Sequence, residues 1–434
     1  MVCTITEFGA KVSDLLQTEP IQKAIDECFL NGGGEVIVPA GVYRTGGIRL
    51  RSHVKLHLLS GAILEASEDP ADYAAVEEDA LEPVKWEDFQ NGLSRSAQPL
   101  SRWNHGIIRA VNATDIAIVG EPYSWIDGKN CFDPEGEEEY RGPHGINFWH
   151  CRNVTLRGYT LRNAGNWAHA IFRSENVTME GVTVYGGHDG VDVFLSQHVT
   201  ISGCRFFSGD DSIAGYGSEH VRIRDCVLHS SCSALRFGGA DVIVERCRCA
   251  SPAEFAFRGS LSAEKRKNGA MGGAEASRQT WTAFLYYCDG RFGDIQIPRV
   301  GDIQIRDCVF ENVYQLFNMD FGNHVWCCHK ALTSITFENC KATGLAQPIY
   351  IHGDPEDPIV FRLKNVELSA ADQPETQDIL DAEFFDGLYL DRVRTAGYVN
   401  PVIRLRSEGT LEQSGAAACQ VVREKEGRAV WGGR

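Results

Sequence analysis

Apolar and polar residues alternate with period two in a series of short segments along the middle of the chain, and such alternation predicts β-strands. The segments recur about every 22 residues, and each is followed by a turn residue and a second short strand pattern. They lack the 3.6-residue spacing of helices, so a repeat of this length predicts a parallel β-helix. The segments begin at Val154, Val177, Val199, Val221, Val242, Ile303 and Ile335, with further copies from Asp115, Ile359 and Leu388.

A column of cysteines follows from this repeat. The sixth residue of five units is cysteine, and stacked coils place equal positions above one another at about 4.8 Å. Such a column predicts a buried ladder of small apolar side chains rather than a set of metal ligands. The five residues are Cys204, Cys226, Cys247, Cys308 and Cys340.

The ends of the chain and two internal segments depart from the repeat. An amphipathic segment from about Glu19 to Leu30, stopped by glycines, predicts a helix that caps the first coil. Two segments rich in charged or small residues are interpreted as loop insertions, which either wall a cleft or are plain surface excursions. We therefore expect an all-β protein with one domain over 1–434: N-terminal cap and first coils at 1–66, loop insertions at 67–105 and 260–280, and C-terminal coils and cap at 384–434.

Charge and composition narrow the classes of partner. A net charge of −17 argues against nucleic acid, which needs a concentrated basic face. It also mildly disfavours a long polyanionic substrate, unless the acidic surface only keeps the protein soluble. The chain has no run of about eighteen apolar residues, so no membrane span is expected. It also has no basic start followed by an apolar run, which predicts a cytoplasmic protein, although a secreted chain trimmed of its signal would look the same.

Cysteine usage agrees with a reducing compartment. The chain has fifteen cysteines, an odd number, and many occupy strand-like positions. We interpret them as reduced thiols that pack as small apolar side chains. Cys327 and Cys328 are adjacent, and no CxxC spacing occurs, so no metal site is predicted.

Three aspartates are predicted to converge through the repeat. Asp211 lies twelve residues after Val199, and Asp189 lies twelve residues after Val177, so both occupy one position on adjacent coils. Asp210 occupies the neighbouring position. Crowded carboxylates raise the pKa of at least one member, which supplies a proton donor beside ionised neighbours, as glycoside hydrolysis requires. Two alternatives stay open at this point: a Ca²⁺ site, since calcium prefers oxygen ligands, and an ordinary turn.

Counting along the repeat in the same way places further polar residues beside the three aspartates. Fifteen residues after the unit starts lie Asp192 and Arg236, and the intervening apolar positions are expected to face inward. Counting from Val154 in the same way gives His169, although the 23-residue step there shifts the count by up to one position. A histidine, an aspartate and an arginine beside the acids suit sugar binding. The alternative is an ion pair on a solvated strand face.

Several segments are similar to glycoside hydrolase family 28, the polygalacturonase-like enzymes. They are the opening from "FGAKVSD" to "GAILEAS", then "WIDGKN", "NWAHAIFRSENVT", "GHDGVD" and "GDD", so the resemblance covers about Phe8 to Gly259. The resemblance implies a right-handed parallel β-helix and inverting hydrolysis. It carries the family's general acid onto Asp210, and its water-activating carboxylates onto Asp189 and Asp211.

Other motifs of that family are altered in this chain. Cys232 occupies the histidine position of the family's GHG motif. In the family the strand after GDD ends in lysine, and this chain has Tyr216 at that position. Of the RIK motif, which grips the substrate carboxylate, only Arg258 remains. Arg236 is a candidate replacement, but a shifted arginine does not reproduce a lysine–arginine pair. The three aspartates therefore match the catalytic residues of the family, whereas the residues with which the family binds the galacturonate carboxylate do not match.

The sequence thus predicts a hydrolase of α-linked glycosides that acts on pectin-derived or related oligosaccharides and needs no cofactor. Trp167, Tyr216, Phe237 and His169 are candidates for a sugar platform, with burial in the core as the alternative for each aromatic. One competing hypothesis is a lyase or uronate epimerase that uses Arg236 or Arg258. Another is a glycan-binding β-helix without catalysis. The sequence makes no prediction of the oligomeric state.

Overall fold

The structure is a computed structural model that describes residues 1–73, 102–258, 264, 277–288, 297, 299–322, 327, 330–415 and 419–424. Most of the two predicted loop insertions, 67–105 and 260–280, lies outside the described residues, and so does Cys328. Their interpretation, and the division of the chain into one domain, stay predictions.

The described residues contain one α-helix, four short 3₁₀ helices and strands that recur along the whole chain. The α-helix is α1 (Thr18–Leu30), and the 3₁₀ helices are Ile5–Phe8, Pro70–Tyr73, Arg102–Asn104 and Glu137–Glu139. The strands are β1 (Val2–Thr4), β2 (Gly34–Val38), β3 (Gly41–Thr45), β4 (Ile48–Arg49), β5 (Val54–Leu58), β6 (Ala62–Ala66), β7 (Gly106–Val111), β8 (Thr114–Gly120), β9 (Trp125–Asp127), β10 (His144–Trp149), β11 (Arg152–Arg157), β12 (Thr160–Arg162), β13 (His169–Phe172), β14 (Glu175–Glu180), β15 (Thr183–Gly186), β16 (Val191–Phe194), β17 (Gln197–Ser202), β18 (Arg205–Ser208) and β19 (Ile213–Arg224). They continue with β20 (Val227–Ser230), β21 (Ser233–Glu245), β22 (Arg248–Ala250), β23 (Thr282–Tyr286), β24 (Gly301–Arg306), β25 (Val309–Glu311), β26 (Gln315–Asp320), β27 (Ser334–Glu338), β28 (Lys341–Leu345), β29 (Ile349–His352), β30 (Ile359–Lys364), β31 (Glu367–Ala370), β32 (Asp378–Glu383), β33 (Phe385–Asp391), β34 (Arg394–Ala396), β35 (Val402–Leu405), β36 (Thr410–Ser414) and β37 (Gln420–Arg423).

The repeat units predicted from the sequence stack in register as parallel strands. Val154 pairs with Val177, Val177 with Val199, and Val199 with Val221, and the series continues through Val242. The long step to Ile303 still joins neighbouring coils. The predicted parallel β-helix is therefore confirmed.

Each coil contributes up to three strands, so the strands form three faces. One face is the twelve-stranded sheet that runs from β3 to β34. A second face runs from β2 through β5, β8, β11, β14, β17 and the second halves of β19 and β21 to β24, β27, β30, β33 and β36. The third, here called the site face, contains β4, β7, β10, β13, β16, the first halves of β19 and β21, and then β23, β26, β29, β32, β35 and β37.

The interior is filled by the alternate residues that point into the coil. Val191, Ile213 and Leu235 are fully buried on the site face, as the alternation predicts. The cysteine ladder is buried as well: Cys204 and Cys226 are at most 2% exposed, and each thiol donates to the carbonyl two residues before it. The fourteen described cysteines are all free.

Helix α1 covers the first coil. It begins one residue before the predicted start and buries Ile21, Ala24, Ile25 and Cys28 against the first strands. After its last turn, Gly32 and Gly33 adopt positive φ angles of 86° and 92°, where glycine carries no steric penalty. In the part of the chain that the structure describes, no helix has the length and apolar character needed to span a membrane.

Candidate active site

The predicted carboxylates converge where the chain turns onto the site face. Asp189 lies between β15 and β16, and Asp210 and Asp211 lie between β18 and β19. Because β15 pairs with β18 and β16 with β19 in register, Asp189 and Asp211 occupy equivalent positions on adjacent coils. The backbone N–H of Asp211 donates to Asp189 Oδ1 at 3.0 Å, which joins the two turns directly.

Asp211 is held as a hydrogen-bond acceptor. Its Oδ1 accepts from the backbone N–H of Ser233 at 2.9 Å, and its Oδ2 accepts from Arg236 Nη1 at 3.2 Å. The side chain is fully buried, so these bonds replace the water that an ionised carboxylate would otherwise bind. An arginine one coil further on therefore stabilises the negative charge of Asp211.

Asp210 lies in a different environment. Its side chain is 14% exposed, and Arg141 Nη2 lies 3.9 Å from its Oδ2. Burial, and then the charge of Asp211, raise the pKa of Asp210 to about 6, against the opposing charges of Arg141 and Arg236. A carboxyl group with this pKa holds a proton at mildly acidic pH and can still release it, as a general acid must.

Asp189 and Asp192 are also disposed to hold protons. Burial raises the pKa of both carboxyl groups well above the ordinary value, with Asp210 the next cause for Asp189 and Asp211 for Asp192. Asp192 is 1% exposed, and its Oδ2 has no hydrogen-bond partner among the described residues. Asp189, Asp192 and Asp210 therefore all favour the protonated form more than an exposed aspartate does.

Two arginines reach the site around one histidine that sequence reasoning did not single out. His188 is 3% exposed, and its Nε2 lies 2.6 Å from Arg258 Nη1, while its Nδ1 lies 3.2 Å from Arg141 Nη1. Burial, followed by the charges of Arg258 and Arg141, lowers the pKa of His188 well below its usual range. Tyr140 stacks on the imidazole with the ring centroids 5.8 Å apart. A neutral imidazole has one acceptor nitrogen, so the ring accepts a hydrogen bond from Arg258, a predicted residue, and lies beside Arg141, which the sequence did not reveal.

Arg236 and Cys232 complete the wall beside Asp211. The guanidinium of Arg236 lies 4.0 Å from the ring centroid of Tyr287, a cation–π contact that fixes its plane. Burial, and then Asp211 and Asp210, raise the pKa of the Cys232 thiol, so it stays protonated. One potential metal-ligand atom from each of Asp210, Asp211 and Cys232 lies within 4.8 Å of the other two, and three ligand atoms are enough to hold a divalent cation. Arg141 and Arg236 already supply positive charge there.

The structure corrects the placement of His169. The register pairs Ala170, not His169, with Asp192, and His169 is fully buried inside the coil. Its ring nitrogens lie 2.9 Å from Tyr159 Oη and 3.0 Å from the Gly190 carbonyl oxygen. The cause is one extra residue in the turn between β12 and β13, which shifts the count by one position. The His169 side chain therefore packs in the core, where it is not accessible to a sugar.

The predicted aromatic platform is also largely internal. Phe237 is 1% exposed and points into the coil, because it alternates with Arg236 along β21. Tyr216 is 3% exposed and makes edge contacts with Phe194 and Tyr287. Trp167 is half-buried and packs against His144, Phe172 and Phe194. Of the predicted platform residues, Trp167 alone keeps substantial exposure.

The chain resembles known proteins in sequence. Residues 144–268 match the family described as the right handed beta helix region. A probable polygalacturonase of Vitis vinifera is 28% identical over 191 residues, which cover 42% of this chain and 36% of the plant protein. An exo-poly-alpha-D-galacturonosidase of Dickeya chrysanthemi is 48% identical over 73 residues, which cover 17% of this chain and 12% of the bacterial protein. The chain thus spans only 36% and 12% of the length of these relatives.

The fold is shared over almost the whole chain. A hyperthermoactive exopolygalacturonase from Thermotoga maritima superposes with a TM-score of 0.66 over 92% of both chains, at 19% identity. At an identity this low, the superposition is evidence for the fold alone. The shared fold agrees with the stacked parallel strands described above. The sequence and fold similarities lead to one conclusion: the chain has the right-handed parallel β-helix fold and is similar in sequence to polygalacturonases over part of its length.

Proposed function

We propose that the chain is a glycoside hydrolase that cleaves α-linked bonds in pectin-derived oligosaccharides. The observation that carries this proposal is the contrast between Asp210 and Asp211. Asp210 is partly exposed and has a pKa of about 6, whereas Asp211 is buried and accepts hydrogen bonds from Arg236 and Ser233. Two adjacent carboxyl groups in such different environments suit one proton donor and one ionised partner.

In the proposed reaction, a water molecule attacks the anomeric carbon as the glycosidic C–O bond breaks. Asp210 donates its proton to the leaving oxygen, and the water gives a proton to Asp211, or to Asp189 in the molecules in which that carboxyl group is ionised. Asp210 loses one proton and the base gains one, so the total charge of the carboxyl groups does not change. One proton exchange with solvent then returns each group to its starting state. We expect inversion at the anomeric carbon, which NMR of the first-formed anomer will test.

The choice of substrate is supported by the names of the sequence relatives and by the local charge. Both relatives are named for the hydrolysis of polygalacturonate or its ends. Arg141 and Arg236 lie against the acids, Arg258 contacts His188 beside them, and guanidinium groups bind carboxylates in a planar fork. This local positive charge offsets the overall acidity of the chain, which would otherwise repel an acidic glycan.

Product analysis on a panel of acidic and neutral plant oligosaccharides tests the proposal. We expect new reducing ends without any new ultraviolet absorbance. Absorbance from a new double bond would indicate a lyase, and inversion at C5 without chain cleavage would indicate an epimerase. Binding with no product at all would indicate a glycan-binding protein.

We also propose that the protein works in a reducing compartment such as the cytoplasm. The support is that all fourteen described cysteines are free and that most are buried as thiols. Titration of thiols in the unfolded chain purified from its native source, without added reductant, tests this. Recovery of paired cysteines would contradict it.

A further inference from the structure

A buried serine on the next coil is hydrogen-bonded to the main chain of Asp210. Ser230 ends β20 and pairs in register with Ser208, which ends β18 two residues before Asp210. The Ser230 hydroxyl group donates to the carbonyl oxygen of Asp210 at 2.6 Å, and Ser230 is fully buried. A hydrogen bond between adjacent coils therefore fixes the backbone at the residue that is proposed as the proton donor.

The same hydroxyl group also fixes Cys232. It accepts from the backbone N–H of Cys232 at 2.8 Å, so a single oxygen atom joins the main chains of Asp210 and Cys232. Because β18 pairs with β20 and β19 with β21 in register, Cys232 occupies the position of Asp210 one coil later. The Cys232 thiol lies within 4.8 Å of a carboxyl oxygen of Asp210 and acts on that carboxyl group through a side-chain hydrogen bond.

Further hydrogen bonds hold Ser230 itself. Thr280 Oγ1 donates to the carbonyl oxygen of Ser230 at 2.7 Å, and Ser251 Oγ donates to Thr280 Oγ1 at 2.7 Å. Thr280 is fully buried, as Ser230 is. Loss of one partner would leave a buried polar group unpaired, so these hydrogen bonds keep Ser230 in one orientation.

The position of the main chain matters for the proposed chemistry of Asp210. A proton donor has to lie within hydrogen-bonding distance of the atom that it protonates, and a misplacement of about 1 Å costs about a hundredfold in rate. The Asp210 side chain is 14% exposed, whereas Asp211 is fully buried and accepts hydrogen bonds from the next coil. The backbone of Asp210 therefore has a large part in deciding where its carboxyl group lies.

We propose that Ser230 is a positioning residue for the reaction. It holds the main chain of Asp210 through the carbonyl oxygen, and it holds the Cys232 thiol beside the Asp210 carboxyl group. Ser230 acts through these two residues and is not itself a catalytic residue. The inference rests on the proposed function, because it takes Asp210 as the proton donor.

Steady-state kinetics of the full chain separates positioning from substrate binding. Ser230→Ala removes the hydroxyl group and should lower kcat by about tenfold or more, because the proton donor is misplaced. KM should change little, since the side chains that face the substrate are retained. Ser230→Thr keeps a hydroxyl group and should recover part of kcat.

Ser174→Ala is the matched control for the loss of a buried serine. Ser174 is 2% exposed, and its hydroxyl group donates to the Phe172 carbonyl oxygen at 2.9 Å and accepts from the Cys151 N–H at 3.1 Å. We expect Ser174→Ala to lower the melting temperature about as much as Ser230→Ala does and to leave kcat unchanged. If the two variants lost equal amounts of both stability and kcat, Ser230 would support only the fold.

A milder variant keeps the test decisive should Ser230→Ala fail to fold. Thr280→Val keeps the shape of the side chain and removes only the hydroxyl group that donates to Ser230. A fall in kcat in this variant, with KM little changed, supports the positioning role. An unchanged kcat overturns it.

The pKa of Asp210 gives a readout that does not require turnover. Burial, and then the charge of Asp211, raise this pKa, while Arg141, Arg236 and the hydrogen bond with Cys232 lower it. Ser230→Ala releases the backbone of Cys232 and should therefore raise the pKa of Asp210, and Cys232→Ala should do the same. Cys232→Ser keeps a donor and should restore part of the lower value.

Carbon-13 NMR of the aspartate carboxyl groups measures this pKa. The signal of Asp210 is assigned by its loss in Asp210→Asn, and Ser174→Ala should leave its titration unchanged. The Ser230 variants retain all the titratable and charged groups that act on Asp210, so a change reports their placement. These groups are Asp189, Asp192, Asp211, Arg141, Arg236 and Cys232.

The outcomes for Ser230 and for the proposed function are distinct. If the unmutated chain releases no reducing ends, the hydrolase is rejected, and a raised pKa of Asp210 in Ser230→Ala still supports the placement of this carboxyl group by Ser230. If the unmutated chain releases reducing ends but Ser230→Ala changes neither kcat nor this pKa, the hydrolase stands and the positioning role is overturned. A fall in kcat without a change in the pKa supports the hold on the Asp210 backbone and overturns the hold on the thiol. A raised pKa with unchanged kcat does the reverse.

Discussion

His188 Nε2 lies 2.6 Å from Arg258 Nη1, and because arginine only donates hydrogen bonds, the imidazole accepts here. The ring is buried, and its lowered pKa keeps it neutral. It also lies against Arg141, which in turn is 3.9 Å from Asp210. A neutral histidine thus accepts from Arg258 and packs beside Arg141, next to the carboxylate cluster, without adding a third positive charge.

Replacing His188 should reduce activity according to the hydrogen bond that the new side chain can offer. We expect His188→Ala to lower kcat/KM by about tenfold or more, since Arg258 loses a charge-assisted acceptor. His188→Gln retains an acceptor and should recover part of the loss. Steady-state kinetics with matched circular dichroism spectra checks this; equal activity of the two variants would show that the contact with Arg258 has no role in catalysis.

Asp210→Asn should remove the proton donor and lower kcat by about 10²–10⁴, the usual contribution of general acid catalysis. The fold should be kept, because asparagine has the same shape and the Asp210 side chain is partly exposed. Reducing-end assays with a thermal melt of the same sample measure both properties. If the variant turned over at the rate of the parent, another residue would have to be the acid.

The pH dependence should follow the protonation of Asp210. Its pKa of about 6 means that the acid form is lost as pH rises through this value, so kcat/KM should fall above about pH 6. Arg141 lowers this pKa, so Arg141→Gln should raise it and move the alkaline limb to higher pH. Arg157→Gln, at an exposed position on β11, is the control and should leave the limb in place. A limb that does not move in Arg141→Gln would mean that Asp210 does not control it.

Asp192→Asn should stabilise the protein at neutral pH. The folded state raises the pKa of Asp192, so it favours the protonated form, and its stability contribution is lost as pH rises above the unfolded pKa. Asparagine mimics the protonated carboxyl group, and we expect a gain of about 1–3 kcal/mol at pH 7, the cost of a poorly satisfied buried polar group. The gain should vanish near pH 3.5, about where the carboxyl group is protonated in both states. Chemical denaturation at the two pH values measures the difference, and a gain that is equal at both would contradict the charge argument.

The repeat explains why much of the fold and of the carboxylate cluster could be predicted. Side chains at equal positions in successive units lie one strand spacing apart, so counting from Val177 and Val199 brought Asp189 next to Asp211. The same count failed at His169, because one extra residue in the turn before β13 is invisible to a regular repeat. Register is therefore predictable only where the turns keep a constant length.

Residues outside the repeat could not be placed by counting. Arg141 lies in the acidic segment between β9 and β10, and Tyr287 follows β23 after a long step in the repeat. Nothing in their local sequence indicates which coil they will approach. His188 was visible inside "GHDGVD", but its role depends on Arg141 and Arg258, whose positions are set by tertiary contacts.

The column from Arg109 to Asp192 has a consequence for how such a protein can change the length of its site face. Each coil between Arg109 and Asp192 adds one strand spacing, so the number of coils fixes the length of the site face between these two residues. Removing one whole coil, such as residues 154–176, would shorten that length by about 4.8 Å and leave both ends chemically unchanged. In a stacked architecture, the gain or loss of a single repeat therefore changes the length of a surface without altering the carboxylate cluster at one end of it.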